Sequence, residues 1–286
     1  MSFDADAHRR ASLVGWEEAA PGWVRQQELL REFAMPVSRW MIDAVRPQPG
    51  ERVLELAAGL GETAMLAAEL VAPHGGVVVS DQAEAMLEGA RARAVALGLS
   101  NIEFQTLNAE WIDLPVASVD AALCRWGYML MADPAAALAE TRRVLRPGGR
   151  VALAVWDTLE SNPWALLPAR ELIARGLVPR PDPDAPPPPG PFALSAPGRL
   201  QELLEQAGFV EPRIEVLELV RRHTSFAELW ESTLDLSRAF HDAVLSRPAA
   251  EIAEIETSVA ERFEPYTAAD GTLEIPARTL VAAASA

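Results

Sequence analysis

Cysteine and basic residues are both scarce in this chain. Its single cysteine, Cys124, excludes an intramolecular disulfide and a cysteine-rich metal site. The 25 lysines and arginines stand against 41 acidic residues, for a net charge of −16. Such a balance repels phosphate backbones, so no nucleic-acid partner is expected. No two histidines have the His-x-x-x-His spacing of metal ligands, so no metal is predicted; the four are His8, His74, His223 and His241.

Long apolar runs are also missing. None approaches the roughly 18–20 residues needed to span a bilayer, so no membrane partner is expected. The start of the chain, residues 1–6, is acidic and lacks the basic and apolar regions of a signal peptide. Half of the 286 residues are apolar, enough for a sizeable core. We therefore expect a cytoplasmic globular protein, either one large domain or a core with a cap.

Apolar runs and helical patterns alternate between residues 47 and 157, which we interpret as the core. The helical patterns cover 62–71, 83–97 and 134–145. The predicted strands show little polar alternation, as expected when both sheet faces are covered; they are Arg52–Leu56, Val77–Ser80, Ile102–Leu107, Val119–Cys124 and Arg150–Val155. This alternation predicts an α/β fold with a doubly wound, mostly parallel sheet.

The rest of the chain is predicted to form a cap and to complete the core. Residues 1–46 are interpreted as a helical cap segment, and 158–196 as a proline-rich cap insertion. In that insertion a helix from Ser161 to about 175 precedes Pro179–Pro191, which cannot form a regular hydrogen-bonded element. Residues 197–286 complete the core; their predicted elements are a helix 197–207, a strand 210–222, an insertion 225–266 with two helices split near Arg247-Pro248, and a strand 272–283.

The first predicted strand leads into an acid and a tight glycine turn, Glu55-x-Ala57-x-Gly59-x-Gly61. The second predicted strand runs into Asp81. A βαβ unit of this kind places a nucleoside at the strand ends, where the second acid reaches the ribose hydroxyls. Gly59-x-Gly61-x-x-Ala64 also satisfies a loose dinucleotide pattern, so the turn alone leaves NAD and S-adenosylmethionine (SAM) open.

Further motifs follow in order along the chain: Asn108-Ala109-Glu110-x-x-Asp113-Leu114-Pro115, Ser118-Val119-Asp120 and Leu145-Arg146-Pro147-Gly148-Gly149-Arg150. Together with the glycine turn and Asp81, these pieces resemble a class I SAM-dependent methyltransferase. The most similar group is that of the ubiquinone/menaquinone-biosynthesis-like small-molecule methyltransferases. The resemblance covers 50–156 well and 10–45 loosely, and it implies SAM as the cofactor, a Rossmann-like seven-stranded sheet and a helical cap.

The resemblance assigns cofactor contacts to the loop after the first strand. Glu55 is expected to help orient the amino-acid end of SAM, or else only to bond loop amides. The backbone at Ala57, Gly59 and Gly61 must approach the ligand closely, where a larger side chain would collide with it. Ala57 stands where the family usually has glycine. Alanine is small enough to keep the site, although it restricts the backbone.

The second strand end supplies the adenosine contacts that the resemblance implies. Asp81 would accept hydrogen bonds from both ribose hydroxyls. It would also suit the N-terminal cap of the helix that follows. Gln82 and Met86 would flank the adenine, with core packing as the alternative for Met86.

The turn after the third strand is expected to complete the adenine site. Asn108 replaces the aspartate usual in the family and would accept from the adenine amino group through its carbonyl. The amide of Ala109 would contact the ring. Glu110 is expected either in the site or on the surface.

Aromatic residues are expected near the cationic sulfur, where a ring face favours the cation by ~0.5–2 kcal/mol. Trp126 and Tyr128 are the candidates. Cys124, a small packing residue at the strand end, is counted with Trp126 among the expected cofactor contacts. Trp23, with Trp16, resembles the aromatic segment that folds over SAM in this group, although a packed helix would show the same spacing.

Methyl transfer to O, N or C of a small apolar or aromatic acceptor is the predicted reaction. The candidates for a catalytic group are His241, His8 and Tyr128. Aromatic residues of the cap would line the acceptor pocket; they are Trp164, Phe192, Phe226, Trp230, Phe240 and Phe263. The alternatives are a SAM-binding regulator without transferase activity and an NAD-linked oxidoreductase. A homodimer is compatible with each.

Overall fold

A seven-stranded sheet forms the centre of the protein in a computed structural model that describes residues 3–182 and 187–286. The strand order is β3-β2-β1-β4-β5-β7-β6. The first five strands pair in parallel, and β7 runs antiparallel to both of its neighbours. The strands are β1 (Arg52–Glu55), β2 (Gly76–Asp81), β3 (Ile102–Thr106), β4 (Val119–Arg125), β5 (Leu145–Trp156), β6 (Val210–His223) and β7 (Leu273–Ser285).

Both faces of the central strands are covered, as the unbroken apolar pattern predicts. Consecutive residues Val53 and Leu54 of β1 are both fully buried, although they face opposite sides of the sheet. The five predicted core strands are confirmed, and their ends shift by a few residues. The largest shift is in β5, which begins at Leu145 because the Pro147-Gly148-Gly149 turn is part of the strand.

Ten α-helices lie within the described residues: α1 (Ala5–Arg25), α2 (Gln27–Val45), α3 (Glu62–Val71), α4 (Glu84–Ala96), α5 (Pro134–Val144), α6 (Pro163–Ala174), α7 (Arg199–Gln206), α8 (Phe226–Leu236), α9 (Arg238–Leu245) and α10 (Ala249–Phe263). Helix α2 packs against α3 and across β5 and β7, whereas α5 packs against β5 and α7. Helix α1 contacts α4 and α8, so it joins the core to the cap. None of the described helices has the length and apolar character to cross a membrane.

The β6–β7 hairpin projects past the parallel strands. The last residue of β5, Trp156, pairs with Thr279, while the hairpin continues to the pair His223 and Leu273. The projecting part packs with α6, α8, α9 and α10 in a second apolar cluster; its buried members are Leu172, Leu229, Trp230, Phe240, Val244, Ile255, Val259, Phe263, Leu273 and Ile275. The cap therefore has a core of its own.

The prediction of two helices between 225 and 263 is wrong, because the structure has three. The break near Arg247-Pro248 is confirmed, and a second one falls at Ser237. This residue has extended backbone, and its hydroxyl accepts from the Phe240 N–H at 3.4 Å, which starts α9. No helix or strand lies between Ala174 and Arg199 in the described part, in agreement with the proline pattern; residues 183–186 fall outside it.

Candidate cofactor site

A cavity of about 1010 Å³, counted to its open mouth, lies at the carboxyl ends of β1 to β4. That volume is at the upper end of the ~300–1,000 Å³ usual for small-molecule sites. Helix α1, the loops after four strands and one residue each of α2, α3 and α4 line it. The lining residues are Arg9, Ser12, Trp16, Trp23, Leu30, Ala57, Ala58, Gly59, Leu60, Glu62, Asp81, Gln82, Met86, Leu107, Asn108, Ala109, Glu110, Arg125, Trp126, Gly127, Leu130, Met131 and Ala132. Ligands of open α/β sheets bind at this edge.

Three residues of the loop after β1 have left-handed backbone. Gly59 (φ +55°) and Gly61 (φ +75°) adopt it readily, and Gly61 is the N-cap of α3. Ala57 has φ +49°, a conformation that costs an L-residue about 1–2 kcal/mol. A Cβ built on the facing Gly127 would lie 2.6 Å from the Ala57 Cβ. The alanine is accommodated because its neighbour has no side chain.

Asp81, the last residue of β2, fastens this loop to α4 and also lines the cavity. Its Oδ2 accepts from the Gly59 N–H at 2.9 Å, and its Oδ1 accepts from the Ala83 N–H at 3.0 Å. Burial raises the pKa of Asp81, and these amide bonds oppose that effect. Each oxygen keeps a second lone pair, so both can still accept from a ligand hydroxyl. The expected N-cap role of Asp81 is wrong, because the N-cap of α4 is Ala83, where no side-chain cap hydrogen bond forms.

The residues predicted near adenine gather at one end of the cavity. Gln82 donates through Nε2 to the Ser12 hydroxyl on α1 at 2.8 Å. The Asn108 side chain accepts from the Glu110 N–H at 2.8 Å, so it also shapes its own turn. Met86 is buried in a small apolar cluster and lines the cavity as well, so its two interpretations hold together.

Helix α1 covers the cavity and is tied through Arg9 to Glu110, in the turn after β3. Glu110 is 4% exposed, so the surface interpretation of it is wrong. Its carboxylate accepts from Arg9 Nε at 3.0 Å and from the Ala132 N–H at 3.0 Å. Trp16 and Trp23 meet edge to face with ring centroids 5.3 Å apart, and both line the cavity.

An ion pair that the sequence did not indicate lies at the opposite end of the cavity. Arg125 Nη2 donates to Glu62 Oε2 at 2.9 Å. The remaining atoms, Glu62 Oε1 and Arg125 Nη1, are buried without a partner among the described residues, as is Trp23 Nε1. Buried polar atoms in this condition indicate a bound group that satisfies them. The sequence signal was weak, because Glu62 reads as an ordinary acid in the first turn of α3.

Trp126 forms an aromatic wall beside this ion pair. Its ring stacks on Trp156 with centroids 4.3 Å apart, and Nε1 donates to the Thr279 hydroxyl at 3.0 Å. The Arg125 Cζ lies 5.2 Å from the centroid of the Trp126 ring. The wall continues with Trp164, whose ring centroid is 5.0 Å from that of Trp156.

Three of the predicted cofactor residues do not line the cavity. Glu55 is buried, and its Oε2 accepts from the Ala64 N–H of α3 at 2.8 Å, so it bonds a backbone amide as the alternative interpretation held. Burial raises the pKa of Glu55 to about 8, although Arg125 and the Ala64 amide lower it. Gly61 acts through the backbone as the α3 cap. Cys124 is fully buried, and burial raises its pKa to about 12.

The predicted catalytic candidates also lie outside the cavity lining. Tyr128 is fully buried beneath it, and its hydroxyl is 2.6 Å from the Thr141 hydroxyl, which removes it as a base or as a ring face for the cofactor. His8 Nε2 is bonded to the Leu130 carbonyl at 2.9 Å. His241 lies on α9 beside Asp242. No cluster of potential metal ligands occurs within residues 3–182 and 187–286.

Comparison with known proteins agrees with this geometry. A family described as a methyltransferase domain matches residues 47–177. Nocamycin O-methyltransferase of Saccharothrix syringae is 34% identical over 188 residues, which cover 64% of this chain and 67% of that protein. The chain belongs to the class I SAM-dependent methyltransferases. The relatives give the NAD-linked alternative no support, and SAM is the cofactor.

Two further comparisons extend the family assignment. The ubiquinone/menaquinone biosynthesis C-methyltransferase UbiE of Xanthomonas oryzae is 37% identical over 153 residues, which cover 51% of this chain and 60% of that protein. The crystal structure of the YcgJ protein from Bacillus subtilis has a TM-score of 0.57 at 19% identity, covering 87% of this chain and 97% of that one, which shows the same fold. The chain spans about half to two thirds of the length of its curated relatives.

The lining residues fit SAM chemically. Glu62 Oε1 suits an ammonium group, and Arg125 Nη1 suits a carboxylate, so their two unpartnered atoms match the two charges of an amino acid. Asp81 lies at the strand end where an acid receives ribose hydroxyls. The Trp126 face suits a sulfonium cation.

Proposed function

We propose that the protein transfers a methyl group from SAM to an O, N or C atom of a small apolar or aromatic acceptor. One observation carries the proposal: a single cavity combines the half-satisfied Glu62–Arg125 pair, Asp81 and the Trp126 face. These groups complement the amino acid, the ribose and the sulfonium of one molecule. The homologous O- and C-methyltransferases support the reaction class.

The residues would hold SAM along the cavity in the order of the strands. Arg125 and Glu62 would bind its amino-acid end, and Asp81 its ribose. Gln82 and Met86, with the turn at 108–110, would enclose the adenine. Helix α1 would exclude water from above, because its side chains line the cavity mouth.

When SAM is bound, the acceptor's nucleophilic atom forms a bond to the methyl carbon while the carbon–sulfur bond breaks, and S-adenosylhomocysteine (SAH) leaves. The chain contributes alignment, which is worth about 7–11 kcal/mol in well-oriented reactions. No histidine, cysteine or tyrosine lines the cavity in the described residues, and its three carboxylates already accept from groups of the chain; they are Glu62, Asp81 and Glu110. The acceptor is therefore expected to release its proton to water before or during transfer.

The remaining expectations are part of the same proposal. The acidic surface supports an acceptor other than nucleic acid, since phosphate backbones are repelled. A cytoplasmic location, the absence of a membrane partner and a homodimer are proposed with it. Size-exclusion chromatography with light scattering tests the oligomeric state.

Calorimetry with SAM, SAH and NAD tests the cofactor site. We expect SAM and SAH to bind and NAD not to bind. Asp81→Ala should weaken SAM by more than about ten-fold, because a carboxylate hydrogen bond to a ligand contributes about 1.5–3 kcal/mol. Asp113→Ala is the matched control, since Asp113 is exposed and does not line the cavity. Unchanged affinity in Asp81→Ala would remove Asp81 from the site.

Turnover is tested by following SAH release with a panel of phenols, quinones and carboxylic acids. The transferase proposal expects SAH to accumulate with at least one acceptor and not without one. SAM binding without turnover on any acceptor would favour the SAM-binding regulator instead.

A further inference from the structure

Two polar residues lie on the buried face of the projecting hairpin. Arg221 and His223 alternate along β6, so their side chains share one face, and they are 8% and 3% exposed. Their partners across the hairpin are Ile275 and Leu273, both members of the cap's apolar cluster. A cationic and a titratable side chain are thus held within an apolar core.

The charge of Arg221 is unbalanced. Its guanidinium carries five N–H donors, and one hydrogen bond is found, from Nη2 to the Ser232 hydroxyl at 3.2 Å. No carboxylate pairs with it among the described residues. Burial lowers the pKa of Arg221 to about 10, so the group is still charged at neutral pH. A buried charge without a counter-ion costs several kcal/mol, so an anion from outside the chain would stabilise the folded protein here.

His223 adds an uncharged partner to this cation. Both of its ring nitrogens are buried without a hydrogen bond in the described residues. Burial and the neighbouring Arg221 lower the pKa of His223 to about 4, with Glu228 acting in the opposite direction. The neutral ring offers one N–H donor. Together the two side chains offer a charge and an additional donor, the combination that a carboxylate accepts.

The position of the pair connects it to the cofactor cavity. Trp126 lines the cavity and stacks on Trp156, which contacts Trp164. The Arg221 Cζ lies 5.9 Å from the centroid of the Trp164 ring. A row of three indoles therefore runs from the cavity to the buried cation. Because Trp126 and Trp156 already stack on each other, an aromatic acceptor lying along the row would contact the ring edges while its far end meets the charge.

We propose that Arg221 and His223 bind a carboxylate of the acceptor, at the end of the molecule remote from the methylated atom. This inference rests on the proposed function and narrows the acceptor class to apolar or aromatic acids. The row Trp126, Trp156 and Trp164 holds the acceptor body, and the pair sets its orientation. Arg221 and His223 are positioning residues, since they do not touch the reacting atoms.

The test uses the full chain saturated with SAH, which occupies the Arg125 end of the cavity. The probes are 2-naphthoate and neutral 2-naphthalenemethanol, which share a ring system and differ in charge. Calorimetry should show 2-naphthoate binding about ten-fold or more tightly than the alcohol. Arg221→Met should abolish this preference, and Arg221→Lys should keep part of it because the charge remains. His223→Leu should reduce the preference by a smaller factor.

Arg222→Met is the matched control, because Arg222 is the next residue of β6 and its guanidinium is on the surface beside Glu274. It should bind both probes as the unmodified chain does. The melting temperature of Arg221→Met without ligand separates binding from structure. If Arg221 is an uncompensated buried charge, its removal should leave the melting temperature unchanged or raise it. If Arg221 has a structural role, its removal should lower the melting temperature.

Equal binding of the two probes by the unmodified chain, or an unchanged preference in Arg221→Met, overturns the inference. A melting temperature lowered by Arg221→Met together with weakened binding of both probes overturns it too, since the role is then structural. SAH affinity is measured in the same samples. Intact SAH binding without a carboxylate preference refutes this inference alone, whereas failure of SAH to bind refutes the proposed function.

Discussion

The guanidinium of Arg9 and the carboxylate of Glu110 form an ion pair across the mouth of the cofactor cavity, with Nη2 and Oε2 2.5 Å apart. The partners are 101 positions apart in sequence. One belongs to α1 and the other to the turn after β3. Because Glu110 is buried and Arg9 mostly so, the pair lies in a medium where charges attract strongly. The ion pair therefore ties α1, which covers the cavity, to the turn after β3.

Arg9→Met is expected to loosen α1 and weaken SAH binding. The substitution leaves the buried Glu110 carboxylate without its cation, a loss of about 3–5 kcal/mol for a buried pair. Hydrogen exchange should show faster opening of α1, and calorimetry a lower SAH affinity. Arg10→Met, at the exposed neighbouring position, should change neither. Unaltered exchange in Arg9→Met would contradict the role of the pair as a fastening.

Ala57→Gly is expected to leave the free energy of unfolding unchanged or to raise it by about 1 kcal/mol. Glycine removes the left-handed strain at φ +49°, and the extra freedom of the unfolded chain offsets part of that gain. Ala58→Gly is the control, since the buried Ala58 has no positive φ and should lose about 1 kcal/mol. Urea unfolding compares the two. Equal destabilisation would show that Ala57 is not strained.

Gly127→Ala is expected to destabilise the fold by about 1–3 kcal/mol and to distort the end of the cavity. Its Cβ would lie 2.6 Å from both the Ala57 Cβ and the Cys124 Sγ. Combining it with Ala57→Gly removes one of the two clashes, so the double variant should recover part of the loss. Gly15→Ala is the control, because its Cβ meets nothing within 4 Å and alanine favours the helix. Thermal unfolding measures all four chains.

The five core strands, the glycine turn and Asp81 were predictable because each is written in a short run of sequence. The Arg125–Glu62 pair was not, since its members are 63 positions apart and each reads as a surface charge until the fold buries it. Of the two interpretations of Glu55, orienting the cofactor or bonding backbone amides, the structure shows the second, because an acid at a strand end meets the start of the next helix. The helix break at Ser237 was not predicted, because apolar residues continue at helical spacing on both sides of it.

Stability should fall as pH rises because of Glu55. Burial raises its folded pKa from 4.5 to about 8, so between these values the folded state holds a proton that the unfolded state has released. The free energy of unfolding therefore decreases with rising pH by up to about 1.4 kcal/mol per unit in that window. The stabilisation from the protonated Glu55 is fully present below pH 4.5 and is lost as the pH rises through about 8.

Glu55→Gln should flatten this decline, because the amide oxygen can still accept from the Ala64 N–H and the side chain cannot ionise. Urea unfolding across this pH window is the measurement. Glu69→Gln, at an exposed position of α3, should keep the decline of the unmodified chain. A slope that persists in Glu55→Gln would assign the effect to another group.

Strand β7 inserts between β5 and β6, both of which precede it in the chain. During synthesis on the ribosome, β5 and β6 therefore emerge before the strand that pairs with each of them. Until Leu273–Ser285 is made, both carry unpaired backbone edges, the feature that promotes association between nascent chains. The period between the synthesis of β6 and of β7 is thus when the growing polypeptide exposes these strand edges to other chains.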